Sequence, residues 1–404
     1  MRVLSRVIVR ETYRIVKNPT YWFAIIILPL FTLLVLSTIF NNGLIRELPI
    51  GVVDNDNGQL SRSVIQDIES VPELSVKKVY TNTYEAQNDI LKKDIYGYLI
   101  IPHNFEKNIV SNKATQIPFY YHYALLSVGG EVLSGFYSYL SNLATLPLQN
   151  IAKQLDIDKE KIKVITMPIS ADFHPLNNPS LDYEIYLSFT YFYVLFQIII
   201  LLTIAYSIGR EFKEDNANEW LYSSHHHRFK ALFGKLLPYF VSYSIIACFG
   251  NYVLFYVINI PLASSFLSIL FASVLFIAAT ISVSVFLFSI HPKLAFIISF
   301  ISMFGSMSAT MVGVTFPVTA MPPIINLLSN LFPARHFTVI SQNLCYENLD
   351  IIHVWKHYAA LFIFLFLPLI STLKLFPNKL LINRKNNSNE KDNNRDITEF
   401  ESRI

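Results

Sequence analysis

The sequence predicts a polytopic α-helical membrane protein, with six spanning helices arranged one plus five and a mixed α/β domain inserted after the first. Three observations predict it. Charged residues make up only 15% of the 404-residue chain, whereas soluble domains carry about 25%. The deficit is concentrated in six stretches without Asp, Glu, Lys or Arg, at 21–40, 186–208, 236–258, 265–290, 294–316 and 357–373. About 20 helical residues cover a hydrocarbon core of ~30 Å, so each stretch is long enough to cross, the last barely so. The block between the first and second stretches, 41–185, has ordinary soluble composition.

Taken in order, residues 1–20 form a basic leader. Arg2, Arg6, Arg10 and Arg14 recur every four residues and stack on one helix face, while Val3, Val7, Ile8, Ile15 and Val16 supply apolar surface. Such a helix suits the inner leaflet, with its arginines at lipid phosphates and Pro19 at its end. The span at 21–40 is longer than a signal-peptide apolar run and no A-x-A site follows it, so it should stay as an anchor.

Within 41–185, Pro49–Val53 reads as a buried strand closed by the turn-forming run Asp54-Asn55-Asp56-Asn57-Gly58. A helix is expected at 61–70. Strands are expected at Ser75–Tyr80, Tyr96–Ile101 and Ile117–Tyr123. Glu131–Gln154 reads as a long helix interrupted at Pro147, and Lys163–Met167 as a last strand. Pro175, Asn177, Asn178 and Pro179 make a linker into the five-helix domain at 186–376. That domain holds a basic loop at 209–235 and a long polar connection at 317–356. The Asn/Lys/Glu-rich tail, 377–404, reads as disordered.

Lys and Arg in short loops set orientation. They crowd the leader, the loop at 209–235 (Arg210, Lys213, Arg228, Lys230, Lys235), the turn at Lys293 and the tail, whereas 259–264 has none. Both termini are therefore expected on the cytoplasmic side and 41–185 outside. Tyr183, Tyr186, Tyr191 and Tyr193 suit the outer interface of the second span.

Several chemistries are disfavoured. Counted from Asp54 as a calcium loop, the sixth position is Gln59 and the twelfth Ile65, where Gly and Glu are needed. His225-His226-His227 would splay apart on a helix and make a poor metal site. No phosphate-binding G-x-x-x-x-G-K-[ST] loop, G-x-S-x-G elbow or H-E-x-x-H helix occurs. Cys248 and Cys345 fall too far apart in the topology for a disulfide. A net charge of +3 implies no nucleic-acid partner. Ion-coupled carriers need ionisable groups in mid-membrane, and the six apolar cores have none. Energy must then come from a separate ATPase.

The chain resembles the permease subunits of ABC-2 (type V) exporters, in the subgroup with a large extracytoplasmic domain after the first span. Arg10-Glu11 with Lys17-Asn18-Pro19 is similar to that family's RE…RDP opening. Pro49–Asn57 resembles its strand and turn, and Tyr96–Pro102 with Phe105 its yGxLxIPxxF strand. Arg210-Glu211-Phe212, Glu219-Trp220-Leu221 and Gly234-Lys235 through Pro238-Tyr239 resemble its cytoplasmic loop. Phe316-Pro317, Met321-Pro322-Pro323 and Phe332–Phe337 resemble its last outer loop. Asp215-Asn216 departs from the family's Gly-Thr, which puts the detail of ATPase docking in question.

The resemblance implies a dimer, with a second copy or a paralogue, two ABC ATP-binding subunits below it, and an optional periplasmic adaptor. The permease itself would be non-catalytic in a bacterial inner membrane, with ATP and Mg on the partner subunit and none on this chain. Glu219 first, then Glu214, with Glu211 and Lys213, would contact the ATPase from a coupling helix in 209–235. Pro322-Pro323 suits a helix start, and Ile324, Leu327, Leu328 and Leu331 then line one face. That predicts a short re-entrant helix capping a path, with Arg335 following it. Ser302, Ser306 and Thr310 of the fifth span are candidate path-lining groups, although small residues equally favour close helix packing. The function expected is ATP-driven export of a hydrophobic or amphipathic compound, drugs included. A receptor or scaffold with a ligand-binding outer domain is the alternative, and a secondary carrier is disfavoured.

Overall fold

The computed structural model describes residues 2–39, 46–111, 113, 115–122, 126–143, 184–214, 216–347 and 349–376. The chain divides into two compact units, Leu44–Pro175 and the remainder (Met1–Gly43 with Leu176–Ile404). The chain opens with helix α1 (Arg2–Lys17) and the spanning helix α2 (Pro19–Ile39). Pro19 does not simply end α1. The Asn18 side chain accepts the Thr20 N–H, and Pro19 occupies the first helical position of α2, where its missing N–H is not needed. A π turn at Phe23–Ile27 precedes Pro29, which has no N–H to offer the carbonyl four residues back.

The α/β unit follows: β1 (Leu48–Asp54), α3 (Gln59–Glu69), β2 (Leu74–Tyr80), α4 (Thr83–Leu91), β3 (Gly97–Ile101), α5 (Phe105–Val110), β4 (Phe119–Tyr121) and α6 (Leu126–Leu143). Sheet order is β2-β1-β3-β4. β1 runs parallel to both neighbours, and β3 pairs antiparallel with β4. Ile50, Val52, Leu99 and Ile101 pack with Val64, Ile68 and Val132 in one core, and Val53 and Tyr98 pack with Tyr80, Ala86 and Ile95 in a second. The run after β1 is a turn: Asp54 Oδ1 accepts the N–H groups of Asp56 and Asn57 at 3.0 Å each, and Oδ2 accepts the Ser61 hydroxyl at 2.8 Å. The expected long helix begins five residues early, at Leu126, and its end at 144–154, the strand at 163–167 and the linker at 175–179 lie outside the described residues.

The second part of the membrane unit comprises α7 (Phe189–Lys213), α8 (Ala217–Ser223), α9 (Arg228–Val257), α10 (Phe266–Ile290), α11 (Leu294–Met311), α12 (Pro323–Ser329), α13 (Pro333–Gln342) and α14 (Ile351–Leu375). With α2, five of these make six helices long and apolar enough to cross a membrane. The helices overrun the charge-free cores, so Glu211 lies within α7 and Lys235 within α9. α7 and α10 form the buried centre of the bundle, while α2, α11 and α14 expose most of their surface.

Many polar groups at the centre are paired, as an apolar surrounding favours. Thr203, Ser273 and Thr280 bond carbonyls one turn back, and Ser284 donates across to Leu201 O at 2.7 Å. Tyr193 was expected at an interface, but it is fully buried. Its hydroxyl donates to Asn251 Oδ1 at 2.6 Å and lies 2.7 Å from Ser273 Oγ. Gln197 binds α11 through Ser308 Oγ (3.0 Å) and accepts the Ala334 N–H at the start of α13 (2.7 Å).

α1 lies along α9 at very close range. A Cβ added at Gly234 would stand 2.9 Å from Val7 Cβ and Cγ1. Gly234→Val should therefore separate the two helices and cost about 1–3 kcal/mol, the usual penalty for overpacking. Thermal unfolding of the full chain checks it: an unchanged midpoint would mean that α1 is not held there.

Candidate functional site

One end of the bundle carries a cluster of ionised side chains drawn from three helices. Glu11 sits between Val7 and Ile15 on the buried face of α1, one turn from each, and is 1% exposed. Glu211 lies on the last turn of α7 and Lys235 on the second turn of α9, both 0% exposed. Lys235 Nζ donates to Glu11 Oε1 and Oε2 at 2.9 and 2.8 Å, and to Glu211 Oε1 at 3.0 Å. All three ammonium protons are thus used. Tyr239 donates its hydroxyl proton to Glu11 Oε1 at 2.7 Å, and Ser207 donates to the same oxygen at 3.1 Å.

A second tier surrounds the first. Arg10 forks onto Glu211 through Nη1 and Nη2 at 2.9 and 3.1 Å. Arg14 pairs with Glu211 and donates Nη2 to Glu214 Oε2 at 2.7 Å. Arg210 pairs with Glu214. That hydrogen bond, with the charge of Arg14 added, holds the Glu214 carboxyl below the usual carboxylate range. Four cations (Lys235, Arg10, Arg14, Arg210) face three carboxylates, so the cluster is nearly neutral. Two predicted arginines therefore turn inward to carboxylates, not outward to lipid phosphates. The exposed face of α1 carries Val9, Tyr13 and Val16 beside Arg6 and Lys17.

α8 is the exposed element nearest this cluster. Trp220 anchors it. The indole is fully buried, donates Nε1–H to Ala231 O at 3.0 Å, packs on Phe376, and lies under Lys235 Nζ at 5.2 Å from its centroid. Glu219, in the first turn, faces out. Lys213 and Glu214 are also on the surface, but Glu211 is not. Its oxygens are taken by Lys235, Arg10 and Arg14, so it cannot make the surface contact expected of it. The histidine triplet is no helix. His225 and His226 adopt left-handed backbone (φ 51° and 64°) in the turn between α8 and α9.

At the other end of α7 lies the connection from α11 to α14, which holds α12 and α13. α12 begins at Pro323 as predicted, but Ile324 and Leu327 are 73% and 72% exposed. The helix that enters the bundle is α13. Phe337 packs against Tyr193, Phe276 and Phe189, with ring centroids 4.3, 4.8 and 6.0 Å away. Its Arg335 is half-buried, and Pro322 and Leu328 stay exposed. Ser302, Ser306 and Thr310 lie on the face of α11 turned away from the bundle, whereas Ser308 points into it.

Beside Arg335, His336 Nε2 lies 3.0 Å from Asn330 O, and its Nδ1 lies 3.0 Å from His357 Nδ1. A carbonyl only accepts, so Nε2 carries the proton, and the neutral ring's Nδ1 accepts from His357. Burial pushes His336 below its ordinary value.

Lys235, Glu11, Tyr239 and Trp220 escaped the sequence-based site. A signal existed for Glu11: a carboxylate at the centre of an apolar stripe, i+4 from Val7, needs a buried cation.

Two outcomes are expected. Lys235→Met leaves the buried Glu11 carboxylate without a cation and should cost about 3–5 kcal/mol. Adding Glu11→Gln should recover part of that loss, read as folded yield and unfolding midpoint. A midpoint within error of wild type for Lys235→Met would refute the pairing. His336, with its folded value depressed, is stabilising above the ordinary imidazole range of about 6.5, and that stability is lost as pH falls below it. The midpoint should drop from about pH 7.5 to about pH 5, less steeply in His336→Gln. An equal slope in the variant would contradict the depression of His336 by burial.

The protein-family model described as "ABC-2 family transporter protein" matches residues 19–374, which takes in Glu211 and Lys235 but not Glu11. No curated protein sequence matches the chain. A six-helix membrane unit with a small α/β unit after its first span, matched over most of its length, places the chain in the ABC-2 transporter family as a multi-pass permease subunit.

Proposed function

We propose that this permease exports a hydrophobic or amphipathic compound, driven by ATP hydrolysis on separate ABC ATP-binding subunits. The observation that carries the reading is α8. It is a short exposed helix whose largest buried side chain, Trp220, touches the ammonium that joins α1, α7 and α9. Displacement of α8 by a partner would shift Trp220 against Lys235 and so act on three helices together. Glu219 is the outward group best placed to meet that partner, followed by Lys213 and the exposed part of Glu214. The excess of Lys and Arg in the leader and at 209–235 supports a cytoplasmic position for both termini and for α8. The α/β unit is then extracytoplasmic and open to an adaptor.

A second copy or a paralogue would pack on the exposed face of α11, where Ser302, Ser306 and Thr310 would border the path. The largely unburied surfaces of α2 and α11 leave room for such a partner or for lipid.

The test is co-purification with an ATP-binding subunit and ATP hydrolysis by the reconstituted complex. Wild type should bring the subunit down stoichiometrically. Glu219→Lys should reduce association and transport at least about tenfold, the effect of setting a like charge in a docking contact. If that variant binds and transports normally, α8 is not the docking element.

A further inference from the structure

Between Leu294 and Tyr346 the chain has one Asp, Glu, Lys or Arg, and it is Arg335. The side chain lies on the first turn of α13, the helix packed among α7, α10 and α14. Its nearest acceptor is Val312 O, 3.4 Å from Nη1, a long hydrogen bond to a neutral group. Nε is buried and bonded to nothing. No carboxylate pairs with it among the described residues. The neighbouring charges act on the same side: Arg335 and Lys356 both face the His336–His357 pair. The contrast with Lys235, which meets two carboxylates, is complete.

A half-buried guanidinium in a membrane protein that has no counter-ion is costly, and such groups mark ligand positions. Its planar fork matches a carboxylate or a phosphate bidentately. The backbone beside it is constrained by Val318. Gly313, at φ +96°, tolerates no side chain: a Cβ there would stand 2.5 Å from Val318 Cγ2 and 3.7 Å from Arg335 Nη1. The flanking chain exposes Phe316, Leu327 and Leu331. It is also tied to α13, since Asn330 O holds His336. A cation whose flanking chain exposes apolar side chains fits a ligand with an anionic head and an apolar tail.

We propose that Arg335 binds the phosphate or carboxylate head of an amphipathic anion whose apolar part lies against Phe316, Leu327 and Leu331. As a substrate contact this rests on the export reading; as a binding site it does not.

The experiment uses the full chain in a neutral maltoside detergent, with decyl phosphate as probe and thermal unfolding as readout. Decyl phosphate should raise the wild-type midpoint, while decanol and inorganic phosphate should not. Arg335→Gln should lose the shift and unfold, without probe, no earlier than wild type, because an unpaired charge has been removed. A shift that survives in Arg335→Gln, or no shift in wild type, overturns the proposal. So does an earlier unfolding of Arg335→Gln with the shift intact, which would make the residue only a cap on the α11 carbonyls. If Arg335→Gln does not fold, Arg335→Lys carries the comparison. It keeps the charge but not the fork, so affinity should fall about tenfold, and equal affinity refutes the assignment. Replacing decyl phosphate with phosphatidylglycerol, against phosphatidylcholine, separates a bilayer headgroup from a free single-chain anion. No ATP-binding subunit is present in this assay, so its failure and a failure of the export reading are distinguishable.

Discussion

The ammonium of Lys235 is the group on which one end of this bundle depends. It lies in a place water does not reach, and it satisfies carboxylates from α1 and α7 at once. Each of these charges is expensive alone, and the attraction repays desolvation only when every hydrogen-bond site is filled. Here the filling is nearly complete: three ammonium donors, two phenol and serine hydroxyls, and an arginine fork. A network of this kind tolerates one geometry, so it fixes the angle at which α1 meets the spans. The close approach at Gly234 and the burial of Trp220 depend on that angle.

The opposite end of α7 is held by different means. Gln197, Tyr193 and the aromatic cluster around Phe337 join α7, α9, α10, α11 and α13 through neutral hydrogen bonds and ring packing. One end is locked by charge and the other by amide, hydroxyl and aromatic contacts. α7 and α10 therefore serve as a stiff centre, with less-buried helices around it.

Much of the architecture was legible in the sequence because its signals are local. A charge-free run reports a span whatever surrounds it. Pro49–Val53 closed by Asp54–Gly58 reports a strand and turn from adjacent residues alone. Helix ends were less visible, because Glu211 and Lys235 terminate the apolar runs yet continue the helices once each supplies the other's counter-charge. The same pairing misled the site reading: Glu211 on a basic loop resembles a surface acid, and only a lysine 24 positions on reveals that it is buried. The insertion of α13 was hidden for a similar reason. Phe332–Phe337 reads as a polar-aromatic loop until Gln197 caps it from α7 and Tyr193 offers a ring to Phe337.

The Glu11–Lys235 contact spans 224 residues, and this has a consequence for biogenesis. At 5–20 residues per second, roughly 10–45 s of synthesis separate the two partners. Throughout that interval Glu11 has no counter-ion and must keep its water, so α1 cannot settle against the bundle. Although α1 leaves the ribosome before every span described, it is thus among the last to reach its final position. Its seating marks the moment when the third span has been inserted with its lysine at the correct depth.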